Sequence, residues 1–146
     1  MADLARNRQA SYKYHLTDKW ECGIQLQGSE VKSLRNGGVQ LKDAYATLTE
    51  GEVWLHNMHI APYQHAAREG HEPERPRKLL MHRREIERLI GKQKEKRLTL
   101  VPTRLYFKGR HAKVEIALAR GKDMVDKRRS IKERELKREM ERSFRR

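Results

Sequence analysis

The sequence predicts a mainly β domain, a small antiparallel barrel with a few helices packed on it, followed by a basic tail. Three observations lead there. Short runs rich in β-branched, aromatic and alternating residues recur through the first 121 positions, turn signals separate several of them, and the composition changes after Gly121. Residues 1–121 hold 23 basic and 14 acidic side chains, whereas residues 122–146 hold 11 and 6 and so carry the denser positive charge. The boundary is therefore placed between a barrel domain, 1–121, and a tail, 122–146.

The strand-like runs are Tyr12–Leu16, Trp20–Gln27, Ala44–Thr49, Val53–Ile60, Leu98–Val101, Leu105–Lys108 and Lys113–Ala119. The last alternates most clearly, with Val114, Ile116 and Leu118 on one face and Lys113, Glu115, Ala117 and Ala119 on the other. Glu50-Gly51-Glu52 and Lys108-Gly109-Arg110-His111 read as tight hairpin connections. A short helix is expected from Gly28 to Gly38, with Ser29 as N-cap, Glu30 in the first turn, Arg35 in the last and Gly37 as the stop. A second is expected from Leu79 to Ile90, with Leu79, Ile86, Leu89 and Ile90 near one stripe and Gly91 closing it. The polar, proline-rich stretch between Ala61 and Lys78 reads as an exposed loop. In the tail, Leu136, Met140 and Phe144 recur every four residues, and Glu133/Lys137 and Glu141/Arg145 are favourable pairs. Such a segment is expected to be disordered when free and helical on a partner surface.

The chain has 146 residues, 36% of them hydrophobic, and a formal charge of +14. No run approaches the roughly 20 apolar residues of a membrane span, and the first residues lack a secretory h-region, so a cytoplasmic location is expected. The single cysteine, Cys22, supplies no disulfide or thiolate pair and reads as an inert core thiol. A large positive excess points to a polyanion, above all a nucleic acid, because Lys and Arg displace the counterions condensed on phosphates.

Catalytic motifs are scarce. His56 and His59, three apart on a strand, face opposite ways and lack a completing ligand, so no metal site is expected. His65, His71, His82 and His111 could supply an acid and a base for RNA cleavage only if the fold made them converge. The glycines form no phosphate-cradling loop. Arg83 and Arg84, beside Glu85 and Glu87, read as a solvated face. Arg120-Gly121-Lys122 and Lys127-Arg128-Arg129, at the exit from the barrel, are better RNA candidates. Of Tyr12, Tyr14, Trp20, Tyr45, Trp54 and Tyr106, most read as core and one or two as platforms for unpaired bases.

Whole phrases of the chain resemble the SmpB family, the tmRNA-binding proteins of bacterial trans-translation. They are Glu21-Cys22-Gly23-Ile24-Gln25-Leu26-Gln27-Gly28-Ser29-Glu30-Val31-Lys32-Ser33-Leu34-Arg35, Arg77-Lys78-Leu79-Leu80, Thr99-Leu100-Val101-Pro102, Leu105-Tyr106-Phe107-Lys108, and Gly121-Lys122 with Asp126-Lys127-Arg128. The resemblance implies an OB-like six-stranded antiparallel barrel with about three helices packed on it and a basic C-terminal tail. It implies an adaptor, not an enzyme, that binds the tRNA-like domain of tmRNA and brings it to ribosomes stalled without a stop codon. Elongation factor Tu would be an indirect partner through aminoacylated tmRNA, and no cofactor, metal, membrane or small-molecule substrate is implied. The positions that match the family's RNA contacts are Asn7 with Arg8 beside it, Tyr14, Glu21, Tyr45, Leu80, Arg120, Gly121 and Lys122. The tail from Asp126, with Lys127, Arg128, Arg129, Lys132, Arg134, Leu136, Lys137 and Arg138, matches the segment that enters the decoding centre and the empty mRNA channel. The chain departs from the family pattern at Ser11-Tyr12, Asp123 and Val125.

Overall fold

The structure, a computed structural model, describes residues 3–63, 70–96, 98–121 and 124–144. In chain order the elements are β1 (Asp3–Arg6), α1 (Ala10–Lys13), β2 (Tyr14–Ile24), α2 (Gly28–Arg35), β3 (Val39–Gln40), β4 (Tyr45–Thr49), β5 (Glu52–His56), β6 (His59–Ile60), β7 (Arg77–Leu80), α3 (Arg83–Lys96), β8 (Thr99–Lys108), β9 (His111–Gly121) and α4 (Met124–Phe144). Antiparallel pairings run β2–β7–β5–β4–β8–β9 and return from β9 to β2, so six strands close on themselves. This is the six-stranded ring that the resemblance implies. β1 lies along the part of the β8 edge that β4 leaves open, and β3 and β6 form a separate small pair.

The alternation expected for β9 places Val114, Ile116 and Leu118 in the interior, with Cys22, Val53, Leu55, Leu79, Leu100 and Leu105 from the other strands. α3 adds Leu89 and Ile86 to that core. Ala119, on the outer face of β9, is also buried, because Ala10 of α1 and Val101 cover it together with Tyr14 and Leu16. Two expected strand runs, Leu98–Val101 and Leu105–Lys108, are one strand, β8, with an irregularity between Pro102 and Arg104. Val53–Ile60 is instead two strands, divided where Asn57 takes a φ of 63°. At the β4–β5 turn both Glu50 and Gly51 have positive φ, as a tight two-residue hairpin demands.

Three local expectations are corrected. α2 starts at Gly28 with Gln27 as its N-cap, and the Glu30 carboxylate accepts the Gln27 N–H at 2.8 Å. Ser29 instead gives its hydroxyl to His71 Nδ1 at 2.9 Å. Leu79 belongs to β7 and not to a helix, since α3 begins at Arg83, and the helix runs through Gly91 to Lys96, so Gly91 does not close it. The expected exposed loop is buried at His71 and Arg77, and Arg77-Lys78 already pair with β5. Residues 64–69, His65 included, lie outside the described residues.

Burial at Arg77 follows from the same alternation that buries Leu79 two residues on. Its guanidinium donates to the Glu30 carboxylate, to Met58 O at 2.6 Å and to Pro73 O at 3.0 Å, while Arg75 donates to the same carboxylate. His71 Nε2 completes the region by donating to Ile60 O at 2.9 Å. One ion-pair network thus joins α2, β7 and the segment between β6 and β7. Burial alone would raise the Glu30 carboxyl, but hydrogen bonds from Arg75, Gln27 N–H and Arg77 outweigh it and leave it below its ordinary value.

Candidate nucleic-acid interface

The positions singled out in the sequence gather at two places and along the tail. Asn7, Tyr14 and Tyr45 line one cleft of ≈ 210 Å³ with Lys13, Asp43 and Thr99. The chain turns sharply at Asn7, whose side-chain amide donates to Pro102 O at 3.0 Å and whose backbone N–H donates to Thr103 O at 2.8 Å. Asn7 therefore fastens the β1–α1 turn to the irregular part of β8. Tyr45 is 40% exposed and stacks on His56 with ring centroids 5.1 Å apart. Thr47 Oγ1 lies 2.9 Å from His56 Nε2 and steadies that ring. The result is a braced aromatic platform with Lys13 nearby, suited to a base and its phosphate. Arg8 is exposed in the adjoining, larger cleft beside Arg6 and Lys42.

Arg120 and Gly121 end β9 and are exposed. Gly121 is in register with Tyr14, so this end of β9 lies beside the first cleft. Lys122 lies outside the described residues.

Glu21 and Leu80 are elsewhere. Seven residues along β2 separate Glu21 from Tyr14, about 23 Å of extended strand. Glu21 and Leu80 share a second groove, ≈ 400 Å³, with Gly23, His82, Glu85 and Lys113. Leu80 packs over Gly23, where an added Cβ would come within 3.2 Å of Leu80 Cβ. The Glu21 carboxylate accepts the Tyr106 hydroxyl and the Lys108 ammonium, the latter at 3.3 Å. The Tyr106 hydrogen bond leads in holding Glu21 below the usual carboxylate value, against the opposing effect of burial and with help from Lys108 and Lys113. Burial, together with the bond to Glu21, pushes the Tyr106 hydroxyl up to about 12. Arg104 lies 4.5 Å over the Tyr106 ring and is tied to Asp3 at 3.3 Å and Glu115 at 3.2 Å. Within the fold the Glu21 carboxylate thus has internal partners, Tyr106 and Lys108, which it holds in place.

Along α4, Lys132, Arg134, Leu136, Lys137 and Arg138 are exposed. Arg134, Lys137 and Glu133 line a shallow cleft with Ser11 of α1, so the helix passes close to the wall of the first cleft. The side chains of Asp126, Lys127, Arg128 and Arg129 lie outside the described residues.

The histidines are dispersed among the described residues. His56 pairs with Thr47, His59 Nδ1 lies 3.7 Å from Glu74, His71 is held by Ser29 and Ile60, and His82 lines the Glu21 groove. Cys22 is fully buried, and desolvation pushes its thiol up to about 12. Other groups at the interface were not singled out as site residues in the sequence: Lys108 and Lys113 beside Glu21, Arg104, which no motif marked, and Tyr106, one of six aromatics read as core or base platform. Arg104 lies in β8 two residues before Tyr106, a spacing that brings their side chains to one face.

Comparison with known proteins bears on the whole chain. The family model described as "SmpB protein" matches residues 4–146. Proteins described as "SsrA-binding protein" are similar throughout. The one from Carboxydothermus hydrogenoformans is 55% identical over 142 residues, 97% of this chain and 95% of its own length. The one from Thermobifida fusca is 55% identical over 143 residues, covering 98% and 89%. A solved chain described as "tmRNA-SmpB: a journey to the center of the bacterial ribosome" superposes with a TM-score of 0.68 at 43% identity, covering 86% of this chain and 92% of that one.

Proposed function

The chain belongs to the SmpB family, and from that premise we propose that it is an RNA-binding adaptor of trans-translation. Its barrel binds the tRNA-like domain of tmRNA, and its tail engages the decoding centre and vacant mRNA channel of a ribosome stalled without a stop codon. Elongation factor Tu meets it indirectly, through the aminoacylated RNA. The observation that carries this assignment is a match to the family model across residues 4–146, which spans barrel and tail together.

The geometry supports a division of labour. Asn7, Tyr14 and Tyr45 share a cleft, with Arg120 and Gly121 at its side, so a fixed RNA surface can be read by stacking and phosphate contact at one end of the barrel. Glu21 serves the second groove by holding Lys108 and Tyr106. α4 presents Ile131, Leu136 and Met140 to solvent and gains its full apolar contact only against a partner surface. The helix is thereby consolidated on the ribosome, where Asp126, Lys127, Arg128, Arg129, Lys132, Arg134, Lys137 and Arg138 meet RNA.

Binding to a transcribed tRNA-like domain, beside a tRNA of equal length and at low and near-physiological salt, tests the assignment. A preference for the tRNA-like domain that survives salt is expected. Equal affinities that both vanish as salt rises would mean that the net charge alone binds RNA.

A further inference from the structure

A third cleft, ≈ 400 Å³, lies between α3 and the rim of the barrel. β2 slips register against β9 between Leu16 and Lys19, at Thr17 and Asp18, and such a bulge re-aims side chains and opens the sheet locally. Tyr14 and Leu16 pack outward under α1, so His15 and Thr17 face the other way, toward Leu118 and Arg120 of β9. Leu98, half-buried just before β8, supplies an apolar floor, and the core residue Leu118 lies beneath it. Lys92 of α3 supplies a second cation at the rim, 6.0 Å from the Trp20 ring centroid. Asp18 is the acid of this cleft and pairs with Lys92; their side chains are 48% and 47% exposed, so an entering anion can exchange for Asp18 at small cost.

An apolar floor with cations on the rim fits a ligand that has a flat apolar face and a phosphate. We propose that this cleft is a subsite for one unpaired RNA nucleotide, its base against Leu98, over the buried Leu118, and its phosphate against Arg120 and Lys92. The proposal rests on the RNA-binding assignment above and adds a pocket to it. A base entering here leaves its stack, which costs least in a loop or at a strand end, so the subsite selects unpaired segments over duplex. Because His15 and Tyr14 are neighbours on β2 with opposite faces, a strand leaving the Tyr14 cleft around Gly121 reaches the third cleft by crossing the end of β9.

NMR titration of the full chain with adenosine monophosphate, adenosine and inorganic phosphate tests the chemistry. The nucleotide should shift the Leu98 and Leu118 methyls and the Arg120 amide together and saturably, adenosine should shift the methyls more weakly, and phosphate should leave the methyls unmoved. Nucleotide and phosphate giving the same shifts, confined to Arg120 and Lys92, would overturn the proposal. Thr17→Tyr fills the cleft from an exposed position and should abolish the methyl response while lowering affinity for the tRNA-like domain about five- to tenfold, the scale of one stacked base. Lys92→Gln should weaken nucleotide binding without moving the adenosine response. If folded Thr17→Tyr protein retains wild-type affinity and the methyl shifts, the subsite is refuted while RNA recognition stands. Failure of the wild type to prefer the tRNA-like domain over tRNA would instead defeat the underlying assignment.

Discussion

In the barrel, Arg75, Arg77, Arg104, Lys92 and Lys108 each lie against a carboxylate, whereas along α4 Lys132, Lys137 and Arg138 project from exposed positions of one helix. Both regions are basic, but the charge does different things in each. Arg75, Arg77, Arg104 and Lys108 are held by partners and hold them in turn, so they fix where Tyr106, Glu21 and the segment before β7 stand. Lys132, Lys137 and Arg138, exposed along the helix, can follow the contour of a phosphate-lined surface. A fixed surface can recognise one folded RNA, and an adaptable segment can probe whether a channel is empty. Changes in the two regions should therefore fail in different assays.

The largest effect is expected from the tail. Changing Lys127, Arg128, Arg129, Lys132, Lys137 and Arg138 to Ala should abolish tagging of proteins on stalled ribosomes in a reconstituted translation assay. Affinity for the tRNA-like domain should stay within about threefold of wild type, since Asn7, Tyr14, Tyr45, Glu21 and Leu80 all belong to the barrel and are untouched. A parallel loss of tmRNA affinity would erase the contrast between the regions.

Next is the buried pair. Arg77→Leu strands the Glu30 carboxylate in the core with Arg75 alone, and removing one partner of a buried pair costs about 3–5 kcal/mol. A fall in Tm of roughly 10 °C or more should follow, whereas the sixfold alanine change in α4 should move Tm by only a few degrees. The same pair sets an acid limit. The Glu30 carboxyl is lowered in the folded state, so its contribution is full above the unfolded value near 4.5 and is lost as pH falls through the folded value. Urea midpoints should fall steeply with pH below that range in the wild type, and more gently in Arg77→Leu, which has already lost much of the contribution. An unchanged pH slope would show that Glu30 is not the group responsible.

The parts of this contrast were unequally legible in the sequence. β9 was plain because Val114, Ile116 and Leu118 alternate with Lys113, Glu115 and the small Ala117 and Ala119 over a long strand, and the hairpins were plain because Gly51 and Gly109 sit where positive φ is needed. β1 and α1, four residues each, are too short to show a period, and packing against the barrel strands stabilises them. Arg77 falls in a stretch that reads as an exposed loop because it is polar and proline-rich, and its burial depends on acceptors that no local pattern shows, Glu30, 47 residues away, among them. The candidate site was read from the family phrases and not from periodicity. No local pattern could show that Asn7, Tyr14 and Tyr45 share a cleft while Glu21 and Leu80 share another, because barrel closure brings together strands far apart in sequence.

A middling effect separates the two grooves of the barrel. Glu21→Ala frees Lys108 and the Tyr106 hydroxyl at once, and should lower affinity for the tRNA-like domain about tenfold, or roughly 1.4 kcal/mol. Tyr106→Phe keeps the ring under Arg104 and removes only the hydroxyl, so it should cost about threefold. If Glu21 acts by orienting its neighbours, Glu21→Gln should recover most of the affinity, since the amide oxygen can accept from the Lys108 ammonium while the amide NH2 donates to the Tyr106 hydroxyl. An effect of Glu21→Gln as large as that of Glu21→Ala would show that the negative charge itself is read by the RNA.

The smallest effect sharpens the same point at Gly23. A methyl there meets Leu80 Cβ at 3.2 Å, closer than ordinary contact, and Leu80, being 47% exposed, has room to give way. Gly23→Ala should leave Tm within about 2 °C, the scale of 0.5 kcal/mol in a domain of this size. It should still lower affinity for the tRNA-like domain about two- to threefold, because Leu80 is displaced from the Glu21 groove that it helps to line. Leu80→Ala separates the two causes, since it removes the displaced side chain and should bind equally well with Gly or Ala at position 23. If the Gly23→Ala penalty persists in that background, strand geometry and not the leucine shapes the groove.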